Sequence, residues 1–339
     1  MEILILKPQK EYELLDSGEG EKLERFGNYT LSRPDPNAVW PKKQPISQWN
    51  DADAVFMKEK SVMGNKWKNK GVKEPWTFEF DGIKMILKLT PFKHTGLFPE
   101  QILNWQWFGQ LIKEKVAKDS KNSVDVVCQV SHDREILDKE GCGKDCGKDY
   151  SGRRDGDGEK NGDNKKDNNN CPNVLNLFGY TGGATLYAAS CGAKVTHVDA
   201  SKPSVTWARE NQTLSNLENK SIRWIVDDAK KFVAREVKRG AKYDGIIMDP
   251  PSFGRDPKGK VFKFEQDVPE LLKLCKQLLL TEPLFFLINS YAMGYSPTVI
   301  KNMLAEILPI EKIECGELQI QEKDSKRSLP TSVFARYSR

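Results

Sequence analysis

Asp249-Pro250-Pro251-Ser252-Phe253 is the segment of this chain best suited to chemistry. The two prolines stiffen a turn and remove two backbone N–H donors, leaving carbonyls free to accept from an amino or ring N–H. Asp249 adds a carboxylate, and Phe253 a ring able to stack on a planar base. Arg255, Lys258, Lys260 and Lys263 follow, and their charge suits phosphate. Further on, Asn289 in Asn289-Ser290-Tyr291 can contact a substrate edge or cap a strand end. The candidate catalytic residues are therefore Asp249, Pro250, Pro251 and Phe253. The candidate substrate contacts are Phe253, Arg255 and Asn289.

A second group precedes these. Leu175–Thr185 reads as a strand, a turn containing Gly179, Gly182 and Gly183, and the start of a helix. Glycines let the backbone bend sharply and approach a ligand with no Cβ in the way. The order is not the Gly-x-Gly-x-x-Gly of a phosphate cradle. The strand Val195–Asp199 ends in an acid about 20 residues after Gly179, where a carboxylate can accept from ribose hydroxyls; a helix cap is the alternative. Ser201, two residues on, is grouped with Asp199 as a candidate cofactor contact. Asp228 follows a third strand, where an acid can accept from an adenine amino group or cap the next helix.

The elements that must position these residues alternate. Strands are expected at Val174–Phe178, Lys194–Asp199, Ile222–Val226, Tyr243–Asp249, Leu284–Ser290, Glu311–Gln321 and Ser332–Arg339, with helices between most of them. Apolar strands alternating with helices imply a parallel sheet covered on both faces, with ligands at the carboxyl ends of the strands. The first ~90 residues read as short strands and turns, including a hairpin at Phe78–Met85 with an Asp81-Gly82 turn. Glu100–Lys118 has helical spacing, with Ile102, Leu103, Trp107, Phe108, Leu111, Ile112 and Val116 on one broad face. Asp138–Cys171 is rich in Gly, Asp, Asn and Lys and too poor in apolar residues to offset its ordering entropy, so it is read as a disordered loop. Within it, Cys142 and Cys146 are a weak metal pair, and Asp157, Glu159, Asn161 and Gly162 only faintly echo a Ca²⁺ loop whose bidentate position would be Asn168. The expected divisions are a β-rich domain at 1–92, a helical connection at 93–137, the insertion at 138–172 and an α/β domain at 173–339.

Composition excludes several classes. The net charge of +5 is too mild to identify a nucleic-acid binder, although Lys58–Trp76 gathers Lys58, Lys60, Lys66, Lys68, Lys70 and Lys73 around Trp67 and Trp76. That stretch suits a phosphate backbone with stacked bases, or is a solvated loop. Seven cysteines form no compact framework, which favours a reducing, cytoplasmic setting. No apolar run approaches the ~18 residues of a membrane span, and no residue pattern requires a metal.

Together these motifs resemble the class I S-adenosylmethionine (SAM)-dependent methyltransferases. From about Asp16 to the end, the insertion excepted, the chain is similar to a bacterial family that includes ribosomal RNA large-subunit methyltransferases acting on cytosine C5 or guanine N7. The resemblance implies a Rossmann-like, mostly parallel sheet whose last strand is antiparallel, with a smaller N-terminal β-rich domain. It implies that Phe178, Gly179, Tyr180, Thr181 and Gly182 bind the methionine moiety, Asp199 the ribose and Asp228 the adenine, and that Asp249–Pro251 face methyl donor and substrate. It also implies that Thr95, Gly96, Phe98 and Gln101 line the cofactor pocket, from a segment where His94 replaces the family's Lys. Members that methylate C5 carry a nucleophilic Cys where this chain reads Asn289-Ser290-Tyr291, while Cys275 and Cys315 fall in a helix and a strand. The expected reaction is direct methyl transfer to a nucleobase nitrogen, with RNA, ribosomal RNA or its precursor, as partner. The rivals are a small-molecule or protein methyltransferase, and an RNA-binding scaffold without catalysis; a nicotinamide dehydrogenase leaves the Asp-Pro-Pro turn unexplained.

Overall fold

The computed structural model describes residues 1–57, 66–137, 171–251, 253–255, 261–291 and 294–339. Lys58, Lys60, the insertion with Cys142, Cys146, Asp157, Glu159, Asn161, Gly162 and Asn168, and Ser252, Lys258 and Lys260 lie outside them. So do the side chains of Phe253 and Arg255. Residues 1–113 and 172–339 form one compact unit, and residues 114–171 a second.

The amino-terminal part runs β1 (Glu2–Leu6), β2 (Tyr12–Gly18), β3 (Glu21–Phe26), β4 (Tyr29–Pro34), α1 (Ile46–Asn50), β5 (Ala54–Met57), β6 (Lys66–Asn69), β7 (Trp76–Phe80) and β8 (Ile83–Leu87), then α2 (Ile102–Leu137). The rest runs β9 (Asn173–Leu177), α3 (Gly183–Ser190), β10 (Lys194–Asp199), α4 (Lys202–Leu214), β11 (Ile222–Val226), α5 (Ala229–Lys238), β12 (Gly245–Met248), β13 (Phe253–Arg255) and β14 (Val261–Lys263). It finishes with α6 (Phe264–Leu278), β15 (Phe285–Tyr291), α7 (Pro297–Ala305), β16 (Ile313–Gln321) and β17 (Ser328–Ser338).

Eight strands form the main sheet in the order β1-β16-β17-β15-β12-β9-β10-β11. From β9 the chain winds one way to β10 and β11, then returns to the other side with β12 and β15. The crevice opens where that direction reverses, at the carboxyl ends of β9 and β12. β12 is buried at every residue, as a strand covered on both faces must be. β17 runs antiparallel between β15 and β16, as expected of the last strand. β1 pairs in parallel with β16 at the sheet edge, so the first strand crosses the boundary anticipated near residue 92. Its Ile3–Leu6 pattern marks a strand but carries no information about which sheet it joins.

A five-stranded sheet, β2-β3-β4-β5-β6, and the β7–β8 hairpin make up the β-rich remainder. Asp81 and Gly82 have φ of 47° and 79°, the doubly left-handed turn that a two-residue hairpin needs. β3 and β4 carry a buried ionic cluster. Glu24 accepts from the Tyr12 hydroxyl (2.6 Å) and from both Nε and Nη2 of Arg33, while Lys22 lies 3.5 Å from Glu24 and 3.2 Å from Asp35. Burial opposes the Glu24 charge, but the Arg33 and Lys22 cations outweigh it and hold the carboxyl at about 2. Arg327, beyond β16, donates to Asp16 (2.7 Å), Glu322 (2.6 Å) and the Ser17 carbonyl, latching the five-stranded sheet to the end of the main one.

Glu24→Ala should destabilise the fold by about 3–5 kcal/mol in chemical denaturation, because it removes the carboxylate partner of the buried Arg33 and the acceptor of the Tyr12 hydroxyl, and leaves Lys22 with Asp35 alone. The native Glu24 carboxyl lies below its ordinary 4.5, so its contribution is present above that pH and is lost as pH falls toward 2. The gap between wild type and variant should narrow over that window.

Candidate active site

The turn after β9 is held in a conformation that ordinary residues resist. Phe178 and Tyr180 have φ of 59° and 48°, and Gly182 has φ of 87° where it begins α3. Left-handed backbone at a non-glycine residue costs on the order of 1–2 kcal/mol and persists where surrounding contacts enforce it. A Cβ on Gly179 would come within 2.4 Å of the His197 ring, and one on Gly183 within 2.6 Å of Trp105. Asp199, at the tip of β10, accepts from the Tyr180 N–H (2.9 Å) and the Ser201 N–H (2.8 Å). Burial raises its carboxyl, and these two hydrogen bonds draw it partly back.

The amino-terminal segment closes the other side. The Thr181 hydroxyl donates to the Gly96 carbonyl (2.6 Å), and Asn211 bridges the Thr181 carbonyl (2.9 Å) and the Ile86 N–H (2.8 Å). Gly96 has φ of 100°, and a Cβ there would meet the Trp207 ring at 2.5 Å. A cavity lies between this segment and the turn. Gly96, Phe98, Gln101, Phe178, Gly179, Tyr180 and Thr181 line it, together with Asp249 and Asn289 from the ends of β12 and β15.

Asp249 and Asn289 form a pair: the Asn289 amide donates to Asp249 Oδ1 at 2.9 Å. Burial raises the Asp249 carboxyl, and that hydrogen bond lowers it in part. Asn289 is 2% exposed and its Oδ1 is buried without a partner. An unpartnered buried acceptor is costly unless something donates to it, so the pair presents acceptors to whatever N–H enters. Pro250 is buried and Pro251 exposed beside them.

Other expected contacts stand outside the cavity lining. Thr95 is fully buried behind Gly96, with its hydroxyl unpartnered. Gly182 is the N-cap of α3. Ser201 caps α4, accepting from the Ser204 N–H at 3.3 Å. Asp228 caps α5, accepting from the Lys231 N–H at 2.9 Å, so the capping alternative is realised by one of its oxygens. Trp76 is 8% exposed and packs on Tyr29, which removes it from any stacking surface; Lys66, Lys68, Lys70 and Lys73 are exposed around Trp67. Cys275 is fully buried among apolar side chains, which push its thiol up, and Cys315 lies in β16. No described cysteine lines the cavity. Among the described residues no helix is long and apolar enough to cross a membrane, and no group of three or more His, Cys, Asp or Glu could hold a metal ion.

Of the lining residues, Leu97, Trp105, Phe108 and Leu287 carried no sequence signal of a site contact. Asn176 had one, a polar residue inside an apolar strand. Its amide donates to Thr185 Oγ1 (2.8 Å), which sits 2.9 Å from His197 Nδ1. His197 is fully buried, and burial lowers it to about 3, so the ring is neutral.

The S-adenosylmethionine-dependent methyltransferase profile matches residues 162–313. The crystal structure of a SAM-dependent methyltransferase from Agrobacterium tumefaciens is 32% identical, with TM-score 0.78, covering 100% of this chain and 93% of that one. SMU.776, crystallised with SAH, shares the fold at 17% identity and TM-score 0.62, covering 97% of this chain and 75% of that one. Ribosomal RNA large subunit methyltransferase K/L of Shewanella sp. (strain MR-4) is 38% identical over 109 residues, 31% of this chain. The Vibrio cholerae protein of the same name is 36% identical over 112 residues. The chain spans about 15% of the length of these curated relatives.

Gly179→Ala should lower stability by about 1–3 kcal/mol, since the new methyl and the His197 ring compete for one space. Guanidinium unfolding measures this; a wild-type midpoint in the variant would show that the turn can move away from the ring.

Proposed function

Because the chain belongs to the S-adenosylmethionine-dependent methyltransferases, we propose that it transfers a methyl group from SAM directly to a nucleobase nitrogen, in ribosomal RNA or its precursor. The observation that carries this reading is the Asp249–Asn289 acceptor pair at the edge of a cavity lined by no described cysteine. The residues fit the cofactor. Phe178, Gly179, Tyr180, Thr181 and Gly182 would hold its methionine part, with Thr95, Gly96, Phe98 and Gln101 opposite. Asp199 with Ser201 would hold the ribose, and Asp228 would approach the adenine with the oxygen its cap leaves over. When bound, SAM supplies an electrophilic methyl on sulfonium.

The chain's own part is placement. Asp249 accepts from the acceptor N–H, aligns the nitrogen lone pair toward the cavity and takes up the released proton. Its raised carboxyl makes it a better base than a solvated aspartate. Asn289 fixes the carboxylate, and the Pro250 and Pro251 carbonyls accept further N–H groups. Phe253 and Arg255, on β13, would meet the base and its phosphate. Alignment and water exclusion supply most of the rate in such a displacement. The names of the curated relatives and the exposed lysines around Trp67 support RNA as the acceptor.

Calorimetric titration with S-adenosylhomocysteine should show binding that weakens at least about tenfold in Asp199→Ala; a wild-type protein that does not bind would sink the reading. Labelled SAM should methylate RNA from cells lacking the protein, and label found only in protein or small molecules would move the acceptor away from RNA. Cys275→Ser and Cys315→Ser should keep methyl transfer within about threefold of wild type, since no covalent step uses a thiol. A thousandfold loss in either, with normal S-adenosylhomocysteine binding, would restore a covalent mechanism.

A further inference from the structure

Aromatic rings continue past the cavity residues assigned to the cofactor. Four rings cluster there, two of them, Tyr180 and Phe98, lining the cavity. Tyr180 of the glycine turn lies 6.2 Å from Phe98, Phe98 lies 5.5 Å from Tyr291, and His94 lies 5.1 Å from Phe98 and 6.4 Å from Tyr291. Phe98 lines the cavity on one side and packs on Tyr291 and His94 on the other. Tyr291 follows Asn289 by two residues on β15, so both project from the same face of that strand. It therefore stands beside the acceptor pair. His94, Phe98 and Tyr291 are all partly exposed, so their ring surface is reachable.

Three rings can serve two kinds of ligand. They can stack on a planar base, or they can cage an ammonium ion. Charge decides between them. The groups facing His94 and Tyr291 from neighbouring elements are Lys22 on β3, Arg33 on β4 and Lys93 in the preceding loop, with Glu24, Asp35 and Glu100 among them. Lys93 already sits over the Tyr291 ring, 5.7 Å from its centroid. Glu24 and Asp35 pair with Arg33 and Lys22, and burial pushes the Glu100 carboxyl up to about 7. The balance around the rings is positive, and His94 reports it: burial first, then Arg33, Lys93 and Lys22, lower it to about 3.

Resting on the methyl-transfer reading above, we propose that His94, Phe98 and Tyr291 form the acceptor subsite, which stacks an uncharged planar heteroaromatic ring bearing an anionic group, such as a nucleotide, and disfavours a cationic side chain. The five-stranded sheet is part of this subsite. It supplies the buried cations that turn a ring cage from ammonium toward a base. Tyr291 and His94 are specificity-determining residues and make no contact that cofactor binding needs.

The test uses the full chain saturated with S-adenosylhomocysteine. The four ribonucleoside 5′-monophosphates, and N-acetyl-arginine amide as the cationic probe, are titrated into it by saturation-transfer NMR. At least one nucleotide should bind, and Tyr291→Ala and His94→Ala should each weaken it about tenfold or more. Tyr291→Phe should retain it, and the arginine probe should show no saturation transfer. S-adenosylhomocysteine affinity and the thermal midpoint should stay within about twofold and a few degrees of wild type. Nucleotide binding that is absent in wild type or untouched in both alanine variants overturns the proposal, as does tighter binding of the arginine probe. Loss of S-adenosylhomocysteine affinity in the variants also overturns it, by making the rings cofactor contacts. Failure of wild type to bind S-adenosylhomocysteine would instead defeat the cofactor reading, a distinguishable result.

Discussion

The site depends on the close approach of the Gly179 backbone to the His197 ring. No other residue leaves room for that ring, and the ring in turn leaves the turn nowhere to relax. Phe178 and Tyr180 are thereby kept in left-handed conformations on either side. His197 can do this because it is neutral. A protonated imidazole at full burial, with Nε2 unpartnered, would lie far above the free energy of the neutral ring. Thr185, at the start of the helix, anchors Nδ1 and in turn accepts from Asn176 on the strand, so the three side chains behind the turn form one polar chain within an apolar core.

From that turn outward, each layer restrains the next. Asp199 takes the Tyr180 N–H and so couples the tip of β10 to the turn. Thr181 reaches across to Gly96, and Asn211 ties the same turn to β8. The segment between β8 and α2, distant in sequence from the α/β sheet, thus becomes the opposite wall of the cavity. It occupies that position through the Thr181–Gly96 hydrogen bond, the Asn211 bridge to the adjoining β8 and the packing of Trp207 on Gly96. The crevice is dictated by topology, the reversal of winding between β9 and β12, and the amino-terminal segment gives it an opposite wall.

The electrostatic arrangement follows the same division. At the carboxyl ends of the strands, the desolvated carboxylates are stabilised by directed hydrogen bonds, two to Asp199 and one to Asp249. On the outer side, the cations of β3 and β4 are held in place by Glu24 and Asp35. Removing a buried charge pair whole is often tolerated, whereas breaking it is not, which makes this cluster a rigid element as well as a field source.

Much of this was legible in the residues. The alternation of apolar strands with helices specified the parallel sheet. The Asp81-Gly82 turn specified its hairpin, and the Asp-Pro-Pro turn marked the end of β12. These are local rules, with periodicity and turn geometry readable within a few residues. Asp228 shows where a local rule leaves two answers: the cap and the ligand contact call for the same residue type at the same place, and the fold realised the cap. Trp105 and the ring cluster were not legible, because each is completed by partners far away in the chain, as Trp105 is by Gly183 and Phe98 by Tyr291. Nor was the placement of β1 at the edge of the main sheet, since a short apolar strand satisfies any free edge. The sequence by itself determined the elements, the turn chemistry and the residue types at the strand ends. Only the tertiary structure decided which turn meets which, because a cavity is made by side chains whose approach depends on packing across the whole sheet.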